Sequence, residues 1–163
     1  MVEAGILAEN ARVELIGGVL VEMSPTGPTH EDLVEWLTRH FVLATDGRFR
    51  VRIQSTLLTP GDGFFQPDVF VLDDGPRGHL PAAALLVVEV SDTSRRHDLW
   101  KTATYAAMEV PEYWIVDVNR NDVLVHRQPR DGSYESVERF KPGDTIGPLI
   151  DVAPVDVAAL LAR

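Results

Sequence analysis

The stretches ALLVVEV at residues 84–90 and QPDVFVL at residues 66–72 decide the fold. Both are short, apolar and rich in β-branched residues, which is typical of strands in a sheet covered on both faces. Each contains one carboxylate, Glu89 in the first and Asp68 in the second. A buried ionised carboxylate is costly unless it is paired, hydrogen-bonded or bound to a cation. The two stretches therefore predict neighbouring strands with a positive group between Asp68 and Glu89.

A hairpin and a helix are predicted ahead of these strands. ELIGGVLVEM at residues 14–23 indicates two short strands joined at Gly17-Gly18, a dipeptide suited to a turn with positive φ. Thr29 is a good N-cap for the helix that follows, with Asp32 in the capping-box position. The predicted core face of this helix consists of Leu33, Leu37, Phe41 and Ala44.

The alternation in RFRVRI at residues 48–53 predicts a half-buried strand with a cationic second face, followed by a loop at residues 60–63. A second helix is expected from Thr93 to Met108. Further strands are predicted at residues 112–118, 122–128 and 133–140, with Tyr113 and Trp114 in the core, and a terminal helix at residues 155–162. This order predicts an α/β fold, a mixed sheet flanked by helices.

Length and charge exclude several classes of protein. With 163 residues, we expect residues 1–163 to form one domain. The chain has 15 Lys and Arg and 25 Asp and Glu, which gives a net charge of −10. This charge argues against a protein that coats nucleic acid nonspecifically, but it leaves local recognition of a phosphate open. There is no Cys, which excludes disulfides and thiolate zinc sites and favours the cytoplasm. No apolar stretch approaches the roughly 20 residues that span a membrane.

Without Cys, a hard divalent ion such as Mg²⁺ or Mn²⁺ is the natural positive group between the two acids. Alternatively, each carboxylate accepts local hydrogen bonds or an arginine. Lys101 lies on the helix after Glu89, where it shares a face with Tyr105 and Met108. There it would orient a nucleophile or neutralise a developing phosphate charge; the alternative is a solvated Lys101 paired with Asp98.

The dipeptide Pro67-Asp68, the strand that ends near Glu89 and the following helix resemble the PD-(D/E)XK nuclease superfamily. The resemblance is closest to its Uma-type restriction endonucleases. The matching segments are ELIGGVLVEMSP, His30 at the helix start, QPDV, VVEVSDTS, residues 98–105 and VPEYWIVD. The resemblance implies a restriction-endonuclease-like core with an N-terminal β-hairpin, and a metal-dependent phosphodiesterase site.

On this resemblance Asp68 and Glu89 are metal ligands and Glu14 is an additional acidic residue, with a surface carboxylate as the alternative for Glu14. The lysine expected two residues after the glutamate is replaced by Ser91, so Lys101 would stand in for it. DLWK at residues 98–101 is one residue shorter than the family spacing, which turns a helical side chain by about 100°. A second departure is Glu109, where a helix-ending glycine is expected.

Two polar residues are candidates for the surroundings of this site. The positive end of the helix dipole would keep His30 neutral, as an acceptor or weak base, and its alternative is a partly exposed helix-start residue. Gln54 would reach the site from a neighbouring strand, or else be an ordinary exposed residue.

We therefore expect Mg²⁺- or Mn²⁺-dependent hydrolysis of DNA by a homodimer. The candidate phosphate contacts are Arg48, Arg50 and Arg52 on the predicted strand, and Arg95 and Arg96 before Lys101. The alternative is that these arginines are solvated surface residues without a nucleic-acid contact. A second hypothesis is a nuclease-like binding or assembly module with weak or no chemistry. A third is a metal-dependent hydrolase of small phosphoesters.

Overall fold

Three β-sheets and three helices make up the computed structural model, which describes residues 13–16, 18–22, 26–91 and 95–162, without the side chains of residues 16 and 95–99. In chain order the elements are β1 (Val13–Ile16), β2 (Val19–Glu22), α1 (Pro28–Thr45), β3 (Phe49–Ile53), β4 (Leu57–Thr59), β5 (Gly63–Phe65), β6 (Val69–Asp73), β7 (Leu86–Ser91), α2 (Arg95–Ala107), β8 (Glu112–Asp117), β9 (Asp122–Arg130), β10 (Ser133–Phe140), β11 (Thr145–Ile146), β12 (Val155–Asp156) and α3 (Val157–Leu160). The strands β11 and β12 form a small ladder of their own.

The larger sheet is mixed, as predicted. Its six strands follow the order β10-β9-β8-β7-β6-β3, with β7 and β8 parallel and the other neighbours antiparallel. In the antiparallel pair β6–β7, Val69 lies opposite Val88. The same register, continued by one residue, places Asp68 opposite Glu89. Because directly opposite residues share a face of the sheet, both carboxylates belong to the same side.

The two faces of this sheet are covered by different elements. Leu37 and Phe41 of α1 pack on one face, where they join a core cluster that contains Trp114. Tyr105 of α2 packs on the other face in a cluster with Tyr113 and Phe70. The prediction that Tyr113 and Trp114 belong to the core is confirmed, since both are fully buried.

The predicted hairpin is present and belongs to a second, four-stranded sheet of order β2-β1-β5-β4. The strands β4 and β5 flank the predicted loop at residues 60–63 and were not expected. Gly63 lets β5 lie close against β1, because a Cβ there would be 2.8 Å from the Leu15 carbonyl oxygen. This sheet brings β1, and with it Glu14, to the α2 side of the larger sheet.

Three local expectations were wrong. The helix α1 begins at Pro28 after the N-cap Gly27, not at Thr29, and no side chain caps it; proline at a first turn is already set at a helical φ. Thr45 is buried at its end, whereas Ala44 is only half-buried. The strand β3 starts at Phe49 and lies at a sheet edge; Phe49 and Val51 pack against the core as predicted, but Ile53 is exposed.

The helix α2 ends at Ala107, one residue before the predicted end at Met108, and its predicted start at Thr93 lies outside the described residues. Glu109 has φ +57°, a left-handed conformation at the position where a glycine was expected. For a non-glycine residue this conformation costs on the order of 1 kcal/mol. Glu109 makes the turn from α2 into β8 in this strained conformation.

Candidate active site

Asp68, just before β6, is held by three elements at once. Its Oδ2 accepts the Val90 N–H of β7 at 2.9 Å and lies 3.1 Å from His30 Nε2 on α1, which donates when Nε2 carries the proton. Its Oδ1 accepts from Gln54 Nε2 at 3.3 Å. Burial raises the pKa of Asp68, but the hydrogen bond and charge of His30, with the Val90 and Gln54 bonds, lower it below its usual value of 3.8. Asp68 is therefore ionised at neutral pH.

Glu89 on β7 is buried on the α2 side. Its Oε1 accepts from the Tyr105 hydroxyl at 2.8 Å and from Lys101 Nζ at 3.1 Å. Burial raises the pKa of Glu89 to about 7; the charge of Lys101 opposes this effect, and the charges of Asp68 and Glu14 add to it. Burial, with the charges of Asp68 and Glu14, therefore outweighs the charge of Lys101 and favours the protonated form of Glu89.

Lys101 on α2 links Glu89 of the six-stranded sheet to a second carboxylate, Glu14 of the four-stranded sheet. Its Nζ lies 2.9 Å from Glu14 Oε1, an oxygen that also accepts the Gln66 N–H at 3.0 Å, and 5.6 Å from the centre of the Phe65 ring. Burial alone would lower the pKa of Lys101, but the charges of Glu89 and Glu14 raise it above 10.5. Lys101 is thus a buried permanent cation, not a solvated one, and Glu14 is a buried carboxylate, not a surface one.

The five residues expected at the site, Glu14, His30, Asp68, Glu89 and Lys101, are all buried and linked in two groups. His30 and Asp68 form one group, and Glu14, Lys101 and Glu89 form the other. The charge of Asp68 acts on Glu89, which joins the two groups electrostatically. The shorter spacing before Lys101 does not keep its side chain from reaching Glu89.

Asp68 and Glu89 have the donor chemistry for a hard cation. Two donors occupy one oxygen of each carboxylate, and among the described residues no hydrogen bond reaches Glu89 Oε2. No three His, Asp or Glu side chains in the described ranges are arranged to hold one ion. Two protein carboxylates, completed by water and a substrate phosphate, are the set that Mg²⁺ commonly takes. The residues therefore fit such an ion, with few protein ligands.

The three arginines of the predicted stripe, Arg48, Arg50 and Arg52, differ in their partners. Arg48 donates to Asp151 Oδ2 at 2.8 Å, and Arg50 donates to the Asp73 carbonyl oxygen at 3.3 Å. Arg52 has no ion pair with any residue that the structure describes. It lies opposite Phe70, on the sheet face that carries Tyr105. The side chains of Arg95 and Arg96, which were also expected to contact nucleic acid, fall outside the described part.

The sequence predicts that Tyr105 lies on the same helix face as Lys101, but it does not indicate a role for Tyr105. The structure makes it a hydrogen-bond donor to Glu89. The spacing of four residues between Lys101 and Tyr105 was the available signal, because such residues lie side by side on a helix. Gln54 reaches Asp68, the first of the two alternatives that the sequence leaves open for it.

Comparison with known proteins agrees with this architecture. The model of the Uma2 family, described as putative restriction endonucleases, matches residues 4–153. The chain belongs to the Uma2 family. The crystal structure of a putative nuclease belonging to DUF820 from Anabaena variabilis superposes with a TM-score of 0.79 at 14% identity, over 92% of this chain and 89% of that chain. At that identity the likeness shows a shared fold.

No curated protein matches the sequence of this Uma2 chain. None of the helices in its described part is long and apolar enough to cross a membrane. Within the Uma2 fold, Asp68 lies just before β6 and Glu89 lies in the last half of β7, where Lys101 links Glu89 to Glu14 of the four-stranded sheet.

Proposed function

We propose that residues 1–163 form one domain, a nuclease that hydrolyses DNA phosphodiester bonds with a bound Mg²⁺ or Mn²⁺. The family and the fold support a nuclease. The observation that carries the metal-dependent proposal is a buried group in which Lys101 contacts Glu89 and the charge of Asp68 acts on the same carboxylate. The homodimer and the cytoplasmic location stay predictions.

Each residue of the group has a distinct task. Asp68 and Glu89 would hold the cation, which when bound polarises a phosphodiester and favours deprotonation of water. Lys101, fixed between Glu14 and Glu89, would neutralise charge that develops on the phosphate. His30 would orient Asp68 through its Nε2, and Glu14 would keep Lys101 in place.

The proposal is tested by incubating the protein with plasmid and single-stranded DNA in Mg²⁺ or Mn²⁺. We expect cleavage by the native protein and a loss of more than about 100-fold in Asp68→Asn, because loss of an outer-shell partner alone commonly costs about 10–100-fold and Asp68 would be a direct ligand. Asp122→Asn is the matched control, because Asp122 is also buried and paired, with Arg139, but lies away from the site. Equal rates in the native protein and Asp68→Asn, or no cleavage by any of them, would contradict the proposal.

Arg52 is the arginine of the stripe that we expect to contact a phosphate. Arg52→Ala should weaken DNA binding and reduce the slope of log Kd against log salt by about 1. Arg48→Ala should leave the slope unchanged, since Arg48 is engaged by Asp151. Fluorescence anisotropy with a labelled duplex at several salt concentrations measures both, and identical slopes in the two variants would contradict the assignment.

The net charge of −10 favours a second candidate, a nuclease-like binding module without chemistry. Calorimetric titration with Mn²⁺ distinguishes the two, because an inert module has no reason to bind metal through Asp68 and Glu89. Phosphoesterase activity on small substrates without DNA binding would instead indicate the third hypothesis.

A further inference from the structure

Tyr105 faces the candidate active site from α2 with a side chain that is fully buried. Its ring packs against Phe65 at 5.4 Å between centres and against Tyr113 at 4.8 Å. A ring packed against two other aromatic rings in a close-packed core has little freedom to move. The position of the Tyr105 hydroxyl is therefore set by core packing.

The hydroxyl donates to the same oxygen of Glu89 as Lys101 does, at 2.8 Å against 3.1 Å. The two donors come from successive turns of one helix. They fix Glu89 Oε1 and leave Oε2 without a donor among the described residues. Burial, followed by the charge of Glu89, raises the pKa of Tyr105 well above 10. The hydroxyl thus keeps its proton and remains a donor at neutral pH.

We propose that Tyr105 is a positioning residue, which holds one oxygen of Glu89 so that the carboxylate is presented to a divalent cation. The inference rests on the proposed function, because it requires that cation to bind Glu89. Lys101 alone gives Glu89 no single direction, since its Nζ is shared with Glu14 and an ammonium has three rotatable donors. The rigid phenol supplies the fixed direction that the ammonium lacks.

Tyr105→Phe tests this role, because it removes the hydroxyl and keeps the ring. We expect the Kd for Mn²⁺ at pH 8 to rise about 10–100-fold by calorimetry. Cleavage should fall at low Mn²⁺ and recover toward the native rate at saturating Mn²⁺.

Tyr134→Phe is the matched control. Its hydroxyl donates to the Val110 carbonyl oxygen at 2.9 Å in the same aromatic cluster, away from the carboxylates. The Mn²⁺ Kd of this variant should stay at the native value. Equal Kd values in the two variants would overturn the positioning role and leave the nuclease proposal intact. Failure of the native protein to bind Mn²⁺ would overturn both.

A second measurement needs no change at position 105. The chain has three tyrosines, so labelling with ¹³C at Cζ gives three signals in an NMR spectrum. Tyr113→Phe and Tyr134→Phe assign two of them, and the third belongs to Tyr105. On titration with Mg²⁺ the Tyr105 signal should shift most, following the binding curve. A Tyr105 signal that does not move while Mg²⁺ binds would overturn the proposal.

Discussion

Glu89→Gln is expected to lower cleavage more than about 100-fold and, without metal, to raise the free energy of unfolding at pH 8. Glu89 is buried and its pKa is raised to about 7 by burial, although Lys101 opposes the shift. Above that pH the folded protein contains an ionised carboxylate that the unfolded chain carries at a lower cost. A neutral amide removes this cost, but it also removes the charge that a cation would bind.

The sign of the pH dependence follows from the raised pKa. Folded Glu89 holds its proton more tightly than unfolded Glu89, so its contribution to stability is complete below the unfolded pKa of 4.5 and is lost as the pH rises through about 7. The loss is about 3 kcal/mol. Urea unfolding of the metal-free proteins at several pH values should show it in the native chain and not in Glu89→Gln.

Two other groups contribute with the opposite sign. Burial lowers the pKa of His126 below 6.5, so its contribution is complete above that pH and is lost as the pH falls through the folded value. The lowered pKa of Asp68 acts in the same direction at more acidic pH. His126 is present in both proteins and cancels in the difference, whereas Asp68, whose charge acts on Glu89, titrates at a more acidic pH than Glu89 does. Parallel profiles of the two proteins would contradict a raised pKa at Glu89.

The parts of the fold that could be predicted are those where the residue pattern of a single segment is enough to indicate the structure. The apolar runs around Asp68 and Glu89 predicted two buried strands, and the antiparallel register of β6 and β7 then brings the two acids opposite each other. The position of Lys101 on the following helix was also visible. Its spacing alone could not show whether it faces Glu89 or solvent, because that depends on how α2 packs on the sheet.

The parts that could not be predicted depend on distant partners. The strands β4 and β5 have three residues each and are stabilised by pairing with each other and with β1, so no local pattern marks them. The engagement of Arg48 depends on Asp151, at the far end of the chain. The role of Tyr105 depends on a hydroxyl that meets Glu89 only after the sheet and helix have packed.

Lys101→Met is expected to lower the free energy of unfolding of the metal-free protein by about 3–5 kcal/mol. The change leaves Glu14 and Glu89 buried without their common cation. Methionine retains most of the aliphatic stem, so the loss measures the charge more than the packing. The matched control is Lys141→Met at the other lysine of the chain, which is exposed and should change stability by no more than about 0.5 kcal/mol. Equal losses in the two variants would contradict a buried ion-pair network.

The loss in Lys101→Met is expected to depend on the carboxylates that it leaves unpaired. Adding Glu14→Gln to Lys101→Met removes one of the two stranded charges, so the double variant should be more stable than Lys101→Met. Glu14→Gln alone should be destabilising, because it removes one of the two carboxylates that pair with Lys101. Residues in one ion-pair network commonly show coupling energies of about 0.5–3 kcal/mol in a double-mutant cycle. Urea unfolding of the four proteins measures this coupling. Additive losses would mean that Lys101 stabilises the fold through its packing on Phe65 and not through the acids that the proposed chemistry requires.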